Sequence, residues 1–288
     1  MSAVPRIDAH QHFWRLARGD YTWLNVEAKP ALGPIHRDFQ PADLQPLLTA
    51  RGIDGTVLVQ AAATVAETDY MLLLADENDF IRGVVGWVDL TAPDAVATIE
   101  RLARHTAFKS VRPMLQDLPD PAWISTAPIG PAMQALVRLG LRFDALVKAP
   151  HLTHLLAFAQ RHAALPIVID HMAKPDMAHH EFIAWRALLA PLAALPQVHC
   201  KLSGLVTEIG PGWQLDTLRP YVATVLELFG PERVMWGSDW PVLNLAADYP
   251  RWTEATDTLL QNRSAEQRDA VLGGNAIRFY GLAPGAST

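Results

Sequence analysis

The sequence predicts an α/β protein, a single (β/α)8 TIM barrel that spans residues 1–288 as one domain. Three observations lead to this fold class. Eight short apolar segments bounded by turn residues are typical of strands, and helical patterns lie between them. Beyond the first connection the strands recur about every 25–35 residues, which is the length that a strand and its crossover helix need. Several strands are almost continuously apolar, as in parallel strands that are covered on both faces.

The elements follow one another in a regular order. The candidate strands are RIDAHQHF, GTVLVQAA, IRGVVGWVDL, FKSVRPML, LRFDALV, PIVIDHMA, VHCKLSGL and RVMWGSDW. Helical spacing of apolar residues marks PADLQPLLTARG, TAPDAVATIERLARH, GPAMQALVRLG, HLTHLLAFAQRHA, EFIAWRALLAPLAAL, LRPYVATVLELFG and a tail through GGNAIRFYGL. Gly52 is the predicted stop of the first helix, and Thr91 is the predicted N-cap of the second. The alternation of strand and helix predicts a parallel sheet that closes on itself.

The connection over residues 13–41 is too long for an ordinary loop, and loops of this length are usually functional or disordered. It contains Trp14, Tyr21, Trp23 and His36. We expect it to cover the barrel mouth as a lid or wall. The alternative is a loop that packs on the surface without a role in the site.

Composition excludes several classes of function. Half of the residues are hydrophobic, so a large core can form, and a net charge of −6 without a basic run argues against nucleic-acid binding. Cys200 is the single cysteine, which rules out an intrachain disulfide and indicates a reducing compartment. No signal-peptide pattern and no apolar run of about 18 residues occurs, so we expect a cytoplasmic protein without a membrane span.

Polar residues gather at the C-terminal ends of the predicted strands, where (β/α)8 barrels carry their chemistry. Strict alternation along the first strand predicts that Asp8, His10 and His12 share the face towards the barrel mouth, and that Ile7 and Ala9 face the helices. The sixth strand ends in Asp170 and His171, and the eighth ends in Ser238 and Asp239. We therefore expect the imidazoles and carboxylates of three strands to meet in one small volume.

Each of these residues also has a purely structural explanation. His171 alone is typical of a hydrogen-bonded structural histidine, Asp239 could cap a helix, and Lys201 could be a solvated charge. Burying all of them together without a function would cost several kcal/mol in desolvation. The joint pattern therefore predicts a catalytic site made of His10, His12, His171 and Asp239.

These residues and the segments around them resemble a known family. His-x-His on the first strand, His171 on the sixth and Asp239 on the eighth are similar to the amidohydrolase superfamily. IDAHQHFW, VIDHMAKP, CKLSGLVTE, MWGSDWPV and GGNAIRFYGL resemble its sugar-lactonase branch, which includes enzymes for L-fuconolactone, L-rhamnonolactone and 2-pyrone-4,6-dicarboxylate. The resemblance runs from residue 6 to residue 282. It implies a hydrolase that opens an aldonolactone, with a 6-deoxy-L-sugar lactone as the expected substrate.

The resemblance leaves the metal open. Binuclear members of the superfamily carry a Lys or Glu on the fourth strand and a His on the fifth, whereas this chain has Arg112 and Asp144 there, so a two-metal site is not expected. One possibility is a single Zn²⁺ or similar ion, weakly held by His10, His12 and Asp239, with or without His171. The other is a metal-free site in which histidines donate hydrogen bonds to the oxyanion. We favour the single ion. Asp239 is the predicted general base. If an ion were coordinated by Asp239, the basicity of the carboxylate would fall and the ion itself would have to activate the water.

Side chains near the predicted barrel mouth also offer contacts for a substrate. The residues that we expect to bind hydroxyl or carboxylate groups of the substrate are Arg112, Gln116, Lys201, Glu208, Asn244 and Trp14. The L-fuconolactonases that this chain resembles carry a His at the position of Pro113, so the exact sugar is open. The alternatives are a metal-dependent decarboxylase of an aromatic acid, a sugar-acid binding protein and a lactone isomerase. We expect a small-molecule lactone as the partner, and a homodimer.

Overall fold

The computed structural model describes residues 4–177 and 181–283. Within these residues eight parallel strands pair in sequential order: β1 (Ile7–Gln11), β2 (Gly55–Val59), β3 (Ile81–Gly86), β4 (Phe108–Val111), β5 (Arg142–Ala145), β6 (Ile167–Ile169), β7 (Val198–Leu202) and β8 (Val234–Trp236). The last strand returns to the first, because the His12 N–H donates to the Trp240 carbonyl (2.7 Å) and the Asp239 N–H donates to the His10 carbonyl (2.8 Å). The predicted (β/α)8 barrel is confirmed.

Helices cover the barrel. Those in the described residues are α1 (Pro41–Arg51), α2 (Val65–Glu77), α3 (Ala95–Leu102), α4 (Trp123–Thr126), α5 (Gly130–Arg138), α6 (Leu152–Arg161), α7 (Phe182–Ala193), α8 (Leu205–Ile209), α9 (Leu215–Phe229), α10 (Tyr249–Leu259), α11 (Ala265–Asp269) and α12 (Asn275–Tyr280). In the part of the chain that the structure describes, none of these helices is long and apolar enough to cross a membrane.

Two local features of the helices differ from the sequence prediction. The patterns above do not single out α2, because its run Met71-Leu72-Leu73-Leu74 is continuously apolar and hides the helical period; Leu73 is in fact exposed. Thr91 is not the N-cap of α3, which begins four residues later. The Thr91 hydroxyl donates to Asp89 instead, so this segment is a turn before the helix.

Strand β1 is irregular, and this reverses the predicted faces of its first half. Ile7 and Ala9 pack in one cluster with Val57 of β2 and with α12, inside the barrel. Asp8 points the other way and accepts a hydrogen bond from the Tyr249 hydroxyl at the start of α10 (3.0 Å). The register against β2 then shifts between Asp8 and Gln11, as at a β-bulge, and His10 returns to the inner face. Bulges of this kind re-aim side chains near active sites.

The two ends of the barrel are closed differently. Phe279 and Tyr280 of α12 pack against the inward residues of β1 and β2, and the Tyr280 hydroxyl donates to Asp144 on β5 (2.7 Å). At the opposite end lie residues 13–41, where Trp14 and Phe39 form a backbone bridge and are fully buried. The C-terminal helix therefore supports the site from below, and the long first loop lies beside it from above.

The buried carboxyl group of Glu67 on α2 makes the stability of the fold depend on pH. Its buried carboxylate accepts the backbone N–H groups of Ala61 and Ala62, and burial raises its pKa to about 7 against the opposing effect of these hydrogen bonds. Because the folded-state pKa lies above the ordinary 4.5, the native state binds more protons than the unfolded state between these values. The free energy of unfolding therefore falls as pH rises through this range.

We expect the Glu67→Gln variant to lack this pH dependence. Its free energy of unfolding, measured by urea denaturation relative to the wild type, should rise by about 3 kcal/mol between pH 4.5 and pH 7.5. Glu77→Gln, at an exposed position of the same helix, is the control. Parallel pH profiles for Glu67→Gln and the wild type would contradict the assignment.

Candidate active site

A cavity of about 210 Å³ opens at the C-terminal ends of the strands. Its wall combines side chains that follow the strands with side chains of the long first loop. The lining residues are His12, Trp23, Lys29, Leu32, Ala61, Arg112, Met114, Gln116, Asp117, Leu146, His171, Lys174, Asp239, Val242 and Leu245. Positively and negatively charged side chains and an apolar wall therefore face the same space.

The four predicted catalytic residues meet at one carboxylate oxygen. The Nε2 atoms of His12, His10 and His171 lie 3.3, 3.7 and 3.8 Å from Asp239 Oδ1. All four side chains are buried, and His10 lies behind the lining of the cavity. Strands β1, β6 and β8 thus bring together residues that are far apart in sequence.

The opposite ring nitrogens of two histidines are tethered. His12 Nδ1 lies 2.7 Å from the Val59 carbonyl, and because a carbonyl only accepts, Nδ1 carries the proton. Nε2 of a neutral His12 then directs a lone pair at the Asp239 carboxylate. Two acceptors 3.3 Å apart require a positive charge between them, either a proton on His12 or a bound cation. His171 Nδ1 pairs with the Ser203 hydroxyl (2.9 Å).

The backbone that presents His171 and Asp239 is strained. Residues 171–174 have φ values of 53°, 54°, 61° and 46°, and Asp239 has φ 61°. Left-handed conformations cost roughly 1–2 kcal/mol for each non-glycine residue. The turn is held by Trp185, whose indole N–H donates to the Met172 carbonyl (2.8 Å). Packing thus maintains a left-handed turn that aims the His171 ring at Asp239, and such strain is typical of functional sites.

Two glycines give the histidines their space. A Cβ on Gly237 would lie 2.7 Å from His10 Cβ, and a Cβ on Gly204 would lie 2.6 Å from His171 Nδ1. Gly204 also has a positive φ of 69°. A side chain at either position would therefore push a site imidazole out of place.

We expect Gly204→Ala to lower kcat about 100-fold, since a misplacement of about 1 Å at a reacting group has an effect of that order. Gly210→Ala is the matched control, because Gly210 also has a positive φ (90°) but nothing lies within 4 Å of its added Cβ. Both variants carry the backbone strain, and only Gly204→Ala meets His171. Steady-state kinetics of the two variants decide the point, and equal losses of kcat in both would contradict the role of His171.

Burial and neighbouring charges set the ionisation of the site. Burial lowers the pKa of His171 to about 4, although Asp239 and Asp170 oppose this. Burial alone would raise the pKa of Asp239, but His171, His12 and His10 outweigh it and hold that pKa well below its usual range. At neutral pH the site therefore combines an ionised carboxylate with a neutral His171.

A network of buried charges lies beneath the cavity and corrects the prediction for Lys201. Its ammonium is fully buried and lies 2.6 Å from Asp144, 3.0 Å from Asp170 and 3.1 Å from His10 Nδ1. Lys201 therefore cannot reach a substrate in the cavity. Arg112 reaches both places, because it lines the cavity while its guanidinium contacts Asp170 (3.3 Å).

The structure changes the choice of tryptophan. Trp14 is buried between Phe39 and Trp23, and its indole N–H donates to the Arg37 carbonyl, so it does not reach the cavity. Trp23 lines the cavity instead, with its indole N–H held by the Ala61 carbonyl (2.7 Å). Sequence reasoning located the loop but had no signal to choose between its two tryptophans.

Of the three other predicted substrate-binding residues, one lines the cavity and two do not. Gln116 lines the cavity. Glu208 and Asn244 are not among the lining side chains of the described residues; Glu208 instead lies 3.6 Å from Lys174, which does line it. The prediction from the C-terminal ends of the strands did not include Lys29, Asp117 and Lys174, because these lining residues lie on loops and turns. The signal that could have found them was adjacency, since Asp117 follows Gln116 and Lys174 follows His171 closely.

Two sets of side chains among the described residues could hold a metal ion. They are His10 with His12 and Asp239, and His10 with Asp170 and His171, and in each set the ligand atoms lie within 4.8 Å of one another. Nitrogen and carboxylate ligands of this kind suit zinc and related divalent ions. His10 belongs to both sets, so its protonation decides whether either can form.

Comparison with known proteins agrees with the geometry. The profile of the amidohydrolase family matches residues 7–282. An L-fucono-1,5-lactonase of Burkholderia ambifaria is 48% identical over 282 residues, 96% of this chain and 95% of that protein, and an L-fucono-1,5-lactonase of Burkholderia multivorans is 40% identical over 291 residues, 96% of each. The crystal structure of an amidohydrolase from Burkholderia multivorans with bound zinc superimposes with a TM-score of 0.89 at 39% identity, over 97% of this chain and 100% of that one. The chain belongs to the amidohydrolase family, as the resemblance of its strand-end motifs predicts.

Proposed function

We propose that this protein is a hydrolase that opens the lactone of a sugar acid by attack of water on the ester carbonyl. Two L-fucono-1,5-lactonases align with nearly the full length of this chain at 48% and 40% identity. This similarity supports the reaction and makes a 6-deoxy-L-aldonolactone the first substrate to test. The observation that carries the proposal is the buried Asp239 carboxylate, which lies within 3.8 Å of three imidazoles at a cavity lined by polar and apolar side chains.

Lactone hydrolysis needs an activated water, a polarised carbonyl and a proton for the leaving ring oxygen. Asp239 accepts the proton of the attacking water and returns it to the ring oxygen, as a general base and then a general acid. Its low pKa keeps the carboxylate ionised at neutral pH and also limits its strength as a base. A second group must therefore help to acidify the water or stabilise the oxyanion.

The histidines can supply that help. His171 is neutral, and if its Nδ1 accepts from the Ser203 hydroxyl, its Nε2 carries a proton that it can donate to the oxyanion. Preorganised donors of this kind typically contribute about 10²–10³ in rate. Arg112 lines the same cavity and adds positive charge near the carbonyl.

The donor set also fits one divalent ion, with zinc as our first choice. A cation between His12 Nε2 and Asp239 Oδ1 would account for their contact as well as a proton on His12 does, and a related amidohydrolase binds zinc. His10, His12 and Asp239 would hold the ion, with His171 as a further ligand. When bound, the ion would polarise the carbonyl and make a water more acidic.

The rest of the cavity suits a sugar. Lys29, Gln116, Asp117 and Lys174 offer donors and acceptors for ring hydroxyls, and Trp23 offers a flat apolar face. The remaining wall is apolar, formed in part by Leu32, Val242 and Leu245. This combination fits a polyhydroxylated ring with one apolar edge. A role in carbohydrate metabolism belongs to the proposal, and the cytoplasmic location and the homodimer stay predictions.

A pH-indicator assay tests the function. L-Fucono-1,5-lactone, its relatives with other configurations and a lactone without ring hydroxyls would be compared, each with and without chelator and added Zn²⁺. We expect enzyme-dependent acid release from the aldonolactones, with chelator and Zn²⁺ showing whether the ion is needed. No acid release from any lactone, with CO₂ release from a hydroxybenzoate, would replace the proposal with the decarboxylase alternative.

A further inference from the structure

We propose that Leu32, Val242 and Leu245 form a pocket for the methyl group at C6 of the substrate, and that this C6 pocket selects a 6-deoxy lactone over its 6-hydroxy counterpart. All three side chains line the cavity at the ends of the strands. They determine specificity and take no part in bond breaking. The inference rests on the proposed function, because it requires a lactone that reacts beside Asp239.

Two short 3₁₀ helices carry the C6 pocket. The first, Pro30–Ile35, belongs to the long first loop and contributes Leu32, and the second, Val242–Leu245, follows β8 and contributes both of its end residues. The two segments pack against each other. Each is anchored in the core by a buried residue, Ile35 in the first and Leu243 in the second. The three pocket side chains are only half-buried, so an apolar surface is left for a ligand.

The second segment is tied to the backbone of the proposed catalytic carboxylate. The Asp239 carbonyl accepts the Leu243 N–H (2.9 Å), so the chain turns back directly after Asp239. Val242 therefore reaches the cavity three residues after Asp239. Within this segment Val242 and Leu245 line the cavity, whereas the polar Asn244 does not. The wall that follows Asp239 is thus apolar.

The connectivity of a 1,5-lactone brings its methyl group to this wall. In the proposed mechanism Asp239 returns a proton to the ring oxygen, so that oxygen lies within hydrogen-bond reach of the carboxylate. The ring oxygen is bonded to C5, and C5 carries C6. Because C6 is two bonds from the atom that Asp239 protonates, it meets the side chains that follow Asp239 in the chain.

The opposite side of the cavity has a different chemistry. In a ring of eight strands β4 lies opposite β8, and Gln116 and Asp117, which follow β4, offer an amide and a carboxylate to ring hydroxyls. A lactone with its C5 edge towards β8 presents its hydroxyl-bearing carbons to these groups. A hydroxyl at C6 would instead lose water against three apolar side chains, which costs free energy unless a new partner replaces the water.

Three 1,5-lactones that differ only at C5 test the inference on the wild-type enzyme. They are the 6-deoxy lactone, its 6-hydroxy counterpart and the analogue with hydrogen in place of C6, and the pH-indicator assay gives kcat/KM for each. We expect the 6-deoxy lactone to exceed each of the others by about 10–200-fold, the scale of one methyl or one added hydroxyl group in an apolar pocket.

The possible failures of this comparison are distinct. Equal kcat/KM values would overturn the C6 pocket and leave the proposed function intact. A preference for the 6-hydroxy lactone would also overturn it, and would indicate that Lys29, which lines the cavity beside the first segment, binds that hydroxyl. No hydrolysis of any lactone would overturn the proposed function and the inference with it.

Shape-matched variants assign the selectivity to the pocket. Val242→Thr and Leu245→Asn keep the size of the side chain and replace methyl with polar groups. In each we expect the preference over the 6-hydroxy lactone to fall about tenfold. Met114→Gln, which adds an amide to the same cavity on the β4 side, is the control and should leave the ratio unchanged. An unchanged ratio in both pocket variants, or an equal fall in the control, would overturn the assignment.

Discussion

We expect the Asp239→Asn variant to lose about 10²–10⁴ in kcat for lactone hydrolysis while KM changes little, because a positioned general acid–base contributes that much to rate. The amide cannot accept the proton of water, and it cannot supply the negative charge that three imidazoles surround. Initial rates over a range of lactone concentrations, with the uncatalysed rate subtracted, give both constants.

Asp117→Asn is the matched control for this prediction. Asp117 lines the same cavity and loses the same charge, but it is exposed on a turn after β4, whereas Asp239 is buried among three imidazoles. We expect its effect to appear in KM and to stay within about tenfold, the scale of one hydrogen bond to the substrate. An Asp239→Asn enzyme with the kcat of the wild type would remove Asp239 from the mechanism.

The second large effect concerns stability. Lys201→Met should lower the free energy of unfolding by about 3–5 kcal/mol, the usual cost of leaving a buried charge without its partner. Asp144 loses its ammonium partner, and Asp170 keeps only the contacts of Arg112 and His10. Urea unfolding at neutral pH measures the change.

The double variant with Asp144→Asn separates charge from packing. Because it removes one positive and one negative charge together, we expect it to recover a large part of the lost stability. A loss below about 1 kcal/mol in Lys201→Met alone would mean that the network carries little of the stability of the barrel.

The sequence predicts the barrel and the cluster of imidazoles around Asp239, because both follow from the alternation of strands with helices and of side chains along each strand. Strand side chains alternate and strand ends converge at one mouth, and this suffices for His171 and Asp239. The same rule fails at β1, where the irregular register between Asp8 and Gln11 changes which face each residue takes. Nothing in the composition of that strand marks the irregularity.

Other parts of the site depend on tertiary structure alone. Lys201 is on the inner face, as its strand position implies, but the depth at which it meets Asp144 and Asp170 separates a structural ammonium from a substrate ligand. Trp14 and Trp23 differ in role because the loop folds back through Phe39, a long-range contact that local patterns do not contain. The left-handed turn at residues 171–174 contains no glycine, so the sequence carries no signal that predicts it.

The most direct test of the account is hydrolysis in oxygen-18 water, with the products analysed by mass spectrometry. Attack of water on the ester carbonyl predicts one labelled oxygen in the carboxylate of the aldonate and none in its hydroxyl groups, at an enzymatic rate that Asp239→Asn lowers by about 10²–10⁴. Label in a hydroxyl group would show cleavage at the sugar carbon instead. Conversion to a second lactone without label would show an isomerase, and either result would contradict hydrolysis at the carbonyl.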